Sequence, residues 1–290
     1  MRIGKKPIDR LFDWCNGLVM ILVLLCTLYP FWYVIVGSFS SMGHLIRYGF
    51  VLWPDGLHLD SYKLVFQNTL IPTAYRNTII VTLGGTSLSM ALTILGAYVL
   101  SLKDLPGRKV LTLFFVFTMF FSGGLIPTYL VVNSLHLIDT LWALFLPTAI
   151  STYNMVLMRN FFQGVPDSLR EAAEIEGETM LGYLVHILLP LSGAAIATIS
   201  LFYAVTYWND YFTSIIYIRN NKLWPMQTVL RQILQTGQLD NMLYRDAKRS
   251  VATETLQYAM IVVTVLPILF VYPFIQKYFV KGVMVGSLKG

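Results

Sequence analysis

A polar stretch in the second half of the chain interrupts the apolar sequence from Ser168 to Pro190. Its first part carries four glutamates within eight positions: Glu171, Glu174, Glu176 and Glu178. Clustered carboxylates can serve acid–base or metal chemistry when histidines or further ligands stand beside them. The four histidines are scattered, without metal-ligand spacing and without a paired nucleophile: His44, His58, His136 and His186. We therefore predict no catalytic residue and no metal site, and the acidic stretch needs another role.

Two further chemistries are excluded by the absence of their patterns. The sequence contains no G-x-x-x-x-G-K-[ST], so it encodes no phosphate cradle of its own. The formal net charge is +6, but no basic stripe with interleaved aromatic residues points to nucleic acid. We predict that the chain binds neither a cofactor nor nucleic acid.

The composition is that of a membrane protein. Hydrophobic residues make up 56% and charged residues 12% of the chain, and the mean hydropathy is +0.63. Several apolar runs reach the roughly 20 residues that cross a bilayer, and so few charges would not cover a large soluble helical protein. We predict an all-α protein that is embedded in lipid, with one domain over 1–290 and six spans at about 13–37, 74–102, 110–132, 141–162, 191–218 and 254–278.

Orientation follows from lysine and arginine in short loops. The N-terminus, the 103–109 loop and the C-terminal tail are basic, whereas the 133–140 loop has no Lys or Arg. The basic N-terminus resembles a signal peptide, but no small-residue cleavage site follows it, so we interpret it as an uncleaved span. We expect both termini and segment 166–190 in the cytoplasm, and two external regions, 38–73 and 219–253.

The central segment (166–190) has the signals of two short helices. Ser168 and Glu171 have capping-box spacing, and Gly177 suits the left-handed residue that ends a helix. Small or apolar residues are expected on one side of the first helix: Leu169, Ala172, Ala173 and Ile175. Inert connections are usually shorter. We predict a helix that docks against a partner, then a helix that re-enters the membrane up to Pro190.

The spacing of the central segment resembles that of permease subunits of ABC importers. The pattern is E-A-A, three residues, G, nine residues, I-x-L-P, here Glu171-Ala172-Ala173, Gly177 and Ile187 to Pro190. Many family members have Asp before the glycine, where this chain has Glu176.

Other stretches are similar to the carbohydrate branch of these importers. Trp208-Asn209-Asp210 matches the W-N-[DE] pattern of that branch. Two stretches resemble oligosaccharide permeases of the polysaccharide lipoprotein-permease subgroup: Ser122 to Tyr129, and Tyr272 to Gly282.

The resemblance implies a fold and a set of partners. The fold would be that of type I importer permeases, in the bacterial cytoplasmic membrane. The partners would be a second homologous permease subunit, two ATPase subunits that hold ATP and Mg²⁺, and an external solute-binding protein. Alternating access would then import an oligosaccharide. The resemblance assigns coupling to the ATPase to Arg170, Glu171, Ala172, Ala173, Gly177, Leu189 and Pro190.

Polar and aromatic residues inside the spans are candidates for the substrate pathway. They are Asn77, Thr118, Tyr203, Tyr207, Trp208, Asn209 and Asp210. Asp210 is expected in the outer half of span five, where a structural role and a cavity-lining role both remain open. Tyr203 and Tyr207 share a helical face with Tyr211, and plain packing is favoured over stacking on sugar rings. Asn77 is either a helix cap or a ligand contact.

The external region 219–253 carries six cations against two carboxylates: Arg219, Lys222, Arg231, Arg245, Lys248 and Arg249 against Asp240 and Asp246. A docking face for an acidic binding protein is the preferred interpretation. The more specific interpretation is that the region attracts an anionic, uronate-containing oligosaccharide. Both interpretations remain open because a basic surface attracts either partner. The alternatives for the whole chain are an ABC permease for another solute class and a secondary transporter.

Overall fold

The computed structural model describes residues 7–48, 51–243 and 254–270, and every regular element in those ranges is helical. The α-helices up to the middle of the chain are α1 (Pro7–Phe39), α2 (Met42–Tyr48), α3 (Asp60–Gln67), α4 (Leu70–Ser101), α5 (Arg108–Phe120), α6 (Leu125–Ser134) and α7 (Thr152–Gln163). The later ones are α8 (Asp167–Ile175), α9 (Met180–Leu191, with a π-helical part over Tyr183–Leu188), α10 (Gly193–Asn209), α11 (Phe212–Tyr217), α12 (Met226–Leu243) and α13 (Glu254–Phe270). Short 3₁₀ turns cover Leu141–Leu144 and Asn221–Leu223.

Among the described residues, one compact unit comprises 7–48, 51–68, 232–243 and 254–266. Its main element is α1, whose apolar side chains are exposed along most of Leu11–Phe39. Near its C-terminal end, α1 approaches α13 closely at Gly37. A Cβ atom at that position would lie 2.6 Å from the ring of Tyr258. Glycine at position 37 therefore permits the contact between the two helices.

Among the described residues, the second unit comprises 69–231 and 267–270 and is built around α4. Helices α10 and α7 pack along α4 at positions where small residues leave room. A Cβ atom at Gly85 would lie 2.8 Å from the Tyr207 ring, and one at Gly96 would lie 2.7 Å from the Met155 sulfur. The small residues of span two thus determine how closely these helices pack.

The spans depart from uninterrupted helices at several places. Among the described residues, α1 and α4 are each long and apolar enough to cross a membrane, and four segments qualify if each bent helix pair is one span. The pair α5 and α6 is bent by 112° at the glycine-rich break after Phe121, where the sequence predicted an interruption. The pair α9 and α10 is bent by 84°.

The helix expected over 141–162 is shorter than predicted. Leu141–Leu144 is a 3₁₀ turn, and α7 begins only at Thr152, with Ser151 as its N-cap. Pro147 cannot donate a backbone hydrogen bond, and Ser151 accepts one from Asn154 N, so helical structure restarts there. Span six is described only as far as Phe270, and the Tyr272 to Gly282 motif lies outside the described residues.

Candidate functional site

Helix α8 begins two residues earlier than the capping-box spacing predicted. Its N-cap is Pro166, no side chain caps it, and the Ser168–Glu171 box is not formed. Asp167 occupies the first turn, where a carboxylate interacts favourably with the helix dipole. Lys103 donates a hydrogen bond to Asp167 and thereby lowers the pKa of that carboxyl. A proline with fixed φ and an anchored aspartate therefore replace the serine cap.

The C-terminus of α8 is closed by Gly177, as the sequence predicted. Gly177 has φ +82°, its N–H donates to Glu174 O at 3.1 Å, and the Glu178 N–H donates to Ala173 O at 2.9 Å. These two bonds form a Schellman motif, which stops the helix and satisfies its last carbonyls. A Cβ atom at Gly177 would meet no neighbour within 4 Å, so the requirement for glycine is conformational.

One face of α8 is held against its own subunit. The Arg170 guanidinium donates to Asp104 Oδ2 at 3.2 Å and lies 3.8 Å from Glu174 Oε1. Ala173 is 3% exposed and belongs to the buried cluster around α4. The expectation that Ala172 and Ala173 lie together on a docking side is therefore wrong for Ala173, which faces inward.

An exposed apolar strip, the outer strip, runs around α8 from Leu169 through Ala172 to Ile175, which lies opposite Ala173. Ile175 is 87% exposed, which leaves a large apolar side chain without a packing partner in the described part of the chain. Glu171 and Glu176 flank the strip and are also exposed. This combination of a short apolar strip with an acidic border is typical of a surface that another protein covers.

Helix α9 joins α8 to the core. The Tyr98 hydroxyl donates to Met180 O at 2.8 Å, and Glu178 pairs with His186 at 3.0 Å. Pro190 lacks the N–H for a bond to the preceding turn, and the helix widens into its π-helical part just before it. Leu189 is half-buried and Pro190 exposed at this point, so both lie at the connection to α10, away from the outer strip.

The tyrosines of α10 lie in the core. The Tyr207 hydroxyl shares a 2.8 Å hydrogen bond with Ser89, and the Tyr203 hydroxyl shares one of 2.7 Å with Thr93. The Ser151 N–H also donates to Tyr203 at 3.1 Å. Both rings are buried, so these tyrosines pack α10 on α4, in agreement with the packing interpretation.

Replacing Tyr207 by phenylalanine should lower the stability of the subunit. The change leaves Ser89 buried without its partner, and a lost hydrogen bond of this kind typically costs about 1 kcal/mol. We expect a lower thermal-unfolding midpoint in detergent for Tyr207→Phe. Tyr153→Phe is the matched control, because Tyr153 is 57% exposed. Equal midpoints for both variants would contradict the assigned role of the Ser89 contact.

Asp210 lies just outside a helix, although the predicted span of 191–218 placed it inside one. Helix α10 ends at Asn209, and Asp210 accepts a hydrogen bond from Thr213 N at 3.1 Å, within the first turn of α11. The chain turns here because a carboxylate at this spacing competes with the helix for backbone N–H groups. The observed hydrogen bond of Asp210 therefore supports its structural role. The neighbouring Trp208 indole N–H is buried without a partner in the described part of the chain.

Asn77 is neither a helix cap nor free to contact a ligand. It lies within α4, whose N-cap is Thr69, and its side-chain amide donates to Lys222 O at 2.8 Å and Trp224 O at 3.2 Å. Asn77 therefore fixes the turn that follows α11. Thr118 is exposed and donates to Phe115 O at 2.6 Å within its own helix.

A group of polar residues, which the sequence pointed to only separately or, for Gln227, not at all, lies where α10 ends. The Arg231 guanidinium stacks over the Tyr211 ring at 5.2 Å, and Gln227 donates to Asn209 Oδ1 at 3.3 Å. We name Asn209, Tyr211, Gln227 and Arg231 the polar patch. The signal in the sequence is the four-residue spacing of Gln227 and Arg231, which places both on one face of α12. A guanidinium beside an aromatic ring and two amides can bind sugar hydroxyls and a carboxylate.

The chain resembles known proteins along most of its length. Residues 105–285 match the family model described as "Binding-protein-dependent transport system inner membrane component". The polygalacturonan/rhamnogalacturonan transport system permease protein YtcP of Bacillus subtilis is 47% identical over 97% of this chain and 99% of its own. Protein LplC of the same organism is 43% identical over 97% of this chain and 96% of its own.

A solved structure shares the fold. It is a bacterial ABC transporter involved in the import of the acidic polysaccharide alginate. The TM-score is 0.86 at 32% sequence identity, with 95% of this chain and 99% of that chain covered. The predicted all-helical type I importer permease fold is thereby confirmed. The chain belongs to the family of binding-protein-dependent transport system inner membrane components, the permease subunits of ABC importers.

Proposed function

We propose that this chain is one of two homologous permease subunits that import an acidic oligosaccharide across the bacterial cytoplasmic membrane. The observation that carries the proposal is similarity along nearly the whole chain to a permease named for polygalacturonan and rhamnogalacturonan, both acidic polymers. The likeness to the alginate importer supports the same class of substrate. Uptake would proceed by alternating access and depend on a solute-binding protein that delivers the sugar.

Energy for the cycle would come from two ATPase subunits that hold ATP and Mg²⁺. We assign their docking site to the outer strip of α8 with Glu171 and Glu176 at its border. The inward contacts of Arg170 and Ala173 support this role, because they tie the helix to its own subunit. A helix held on one face and covered by a partner on the other can transmit rigid-body motion. The expected topology has α8 and both termini in the cytoplasm.

We assign contact with the sugar to the polar patch at the end of α10. Arg231 would pair with a uronate carboxylate, and the Tyr211 ring would hold the guanidinium in position by stacking against it. Asn209 and Gln227 would exchange hydrogen bonds with hydroxyls, since amides both donate and accept. Neutral sugars would bind this surface more weakly because they cannot pair with the guanidinium.

The proposal is tested with the assembled transporter in proteoliposomes. ATP hydrolysis is measured with the binding protein and either oligogalacturonates or malto-oligosaccharides of equal length. We expect stimulation by the acidic series alone. Stimulation by the neutral series alone would overturn the acidic assignment, and transport without any ATPase subunit would overturn the importer assignment.

Replacing Arg231 by glutamine should weaken the response to oligogalacturonate about tenfold in kcat/KM, the size expected for one charge-assisted hydrogen bond. Arg231→Lys should retain part of the response. Lys222→Gln is the matched control, because Lys222 is an exposed cation of the same region outside the polar patch. If Arg231→Gln instead weakens docking of the unloaded binding protein, Arg231 belongs to the docking face and the sugar contact is wrong.

A further inference from the structure

A cavity of about 710 Å³ lies where α4 ends and α5 begins. Four basic side chains line it: Lys103, Arg108, Lys109 and Arg159. Its other walls come mainly from the loop before α5 and from the first two turns of that helix, including Leu105, Leu113 and Val116. No residue of this cavity belongs to α8 or to the polar patch.

The positive charge of the cavity is not neutralised within the described part of the chain. Lys103 pairs with Asp167. Among the described residues, no carboxylate lies within ion-pair distance of Arg108, Lys109 or Arg159. No acidic side chain lines the cavity either. Arg159 is half-buried and held by a 3.1 Å hydrogen bond from its Nε to Leu100 O, which leaves the rest of the guanidinium free to donate. Arg108 is also half-buried, and placing two cations together with reduced access to water is unfavourable unless an anion accompanies them.

Further donors line or border the same cavity. Thr112 lines it, and the buried Thr112 hydroxyl has no hydrogen-bond partner among the described residues. Helix α5 begins at this point with Gly107 as its N-cap; the Arg108 N–H donates to Leu105 O at 3.2 Å, and no side chain caps the N–H groups that follow. Cations beside the N-terminus of a helix form a site for an oxyanion.

The walls of the cavity change from basic to apolar along α5. Arg108 and Lys109 lie in its first turn, and Leu113 and Val116 follow one to two turns further into an apolar helix. Because α4 and α5 are both apolar segments joined by a short basic loop, this loop lies at the surface of a bilayer. Charge at the surface with apolar walls beneath it matches the two parts of a phospholipid.

We infer that the cavity binds an anionic phospholipid, with the phosphate at Arg108 and Arg159 and an acyl chain along Leu113 and Val116. A zwitterionic lipid fits less well, since no carboxylate is present to pair with its ammonium group. Basic pockets between membrane helices are known sites for acidic headgroups.

The inference is tested on the assembled transporter in nanodiscs that contain equal amounts of phosphatidylglycerol and phosphatidylcholine. Lipids that stay bound after release from the disc are counted by native mass spectrometry. We expect enrichment of phosphatidylglycerol and a loss of about tenfold in that enrichment for Arg108→Gln/Arg159→Gln. Lys63→Gln/Lys222→Gln removes two exposed cations elsewhere and should retain it. Equal enrichment in the two double variants would overturn the site.

Two further experiments identify the molecule that occupies the cavity. Millimolar inorganic phosphate should not displace the bound lipid, and displacement would instead indicate a site for a soluble anion. A benzophenone side chain in place of Leu113 should crosslink to phosphatidylglycerol. A crosslink to another protein chain would mean that a partner subunit fills the cavity, which contradicts the inference. Neither experiment depends on which sugar the transporter imports.

Discussion

Gly177→Val should abolish ATP-driven uptake while the subunit still inserts and assembles into the membrane. Gly177 has φ +82°, a conformation that costs a non-glycine residue about 1–2 kcal/mol and a β-branched one more. Relief of that strain unwinds the Schellman motif and releases the Glu178 N–H from Ala173 O. The helix would then no longer hold its angle to α9, and ATPase motion would not reach the spans. Uptake in proteoliposomes and protein level in membranes are the two measurements.

Gly177→Asn is the control for this prediction. Asparagine tolerates the left-handed region better than other residues with a Cβ atom, so uptake should be largely retained. A Cβ atom meets nothing within 4 Å at this position, so a steric clash cannot explain a difference between the variants. Equal loss in Asn and Val variants, or normal uptake by Gly177→Val, would contradict the assigned role of the backbone turn.

Ile175→Glu should uncouple the subunit from its ATPase. Ile175 is 87% exposed at the C-terminal end of the outer strip, and burying an unpaired carboxylate in a protein interface is strongly unfavourable. We expect at least about a tenfold drop in the amount of ATPase subunit that copurifies, which corresponds to roughly 1.4 kcal/mol. Thermal stability of the permease itself should not change, because the side chain contacts no core residue.

Two variants make this result specific. Ile175→Leu retains an apolar side chain and should retain the ATPase. Ala173→Leu acts on the buried face and should lower the stability of the permease, since a larger side chain is forced into a packed site. Normal copurification of Ile175→Glu would place the docking surface elsewhere on the subunit.

Local signals in the sequence were sufficient to predict the turn that ends α8 in the central segment. The spacing of Gly177 after Ala173 predicted the left-handed stop, which depends on residues within six positions of one another. The predicted start of α8 was two residues too late, because Asp167 in the first turn is anchored by Lys103, a residue distant in sequence. Capping patterns cannot reveal such a partner.

The sequence alone could not determine which face of α8 is buried. Ala172 and Ala173 are equivalent in composition, and only the packing of α8 on Tyr98 and Tyr183 turns Ala173 inward. The same holds for Asn77, whose amide binds carbonyl groups of residues 222 and 224. Contacts that join residues about 145 positions apart require the folded chain.

The sequence by itself determined that the protein is helical and apolar, where its short helix stops, and which family it resembles. These features follow from composition and from spacing over a few residues. The tertiary structure decided which side of α8 is free, that Tyr203 and Tyr207 bind α4 hydroxyls, and that Asp210 caps a turn. It also brought Arg159 to the basic loop before α5. Each of these depends on distant segments coming together, since burial and pairing are properties of the packed chain.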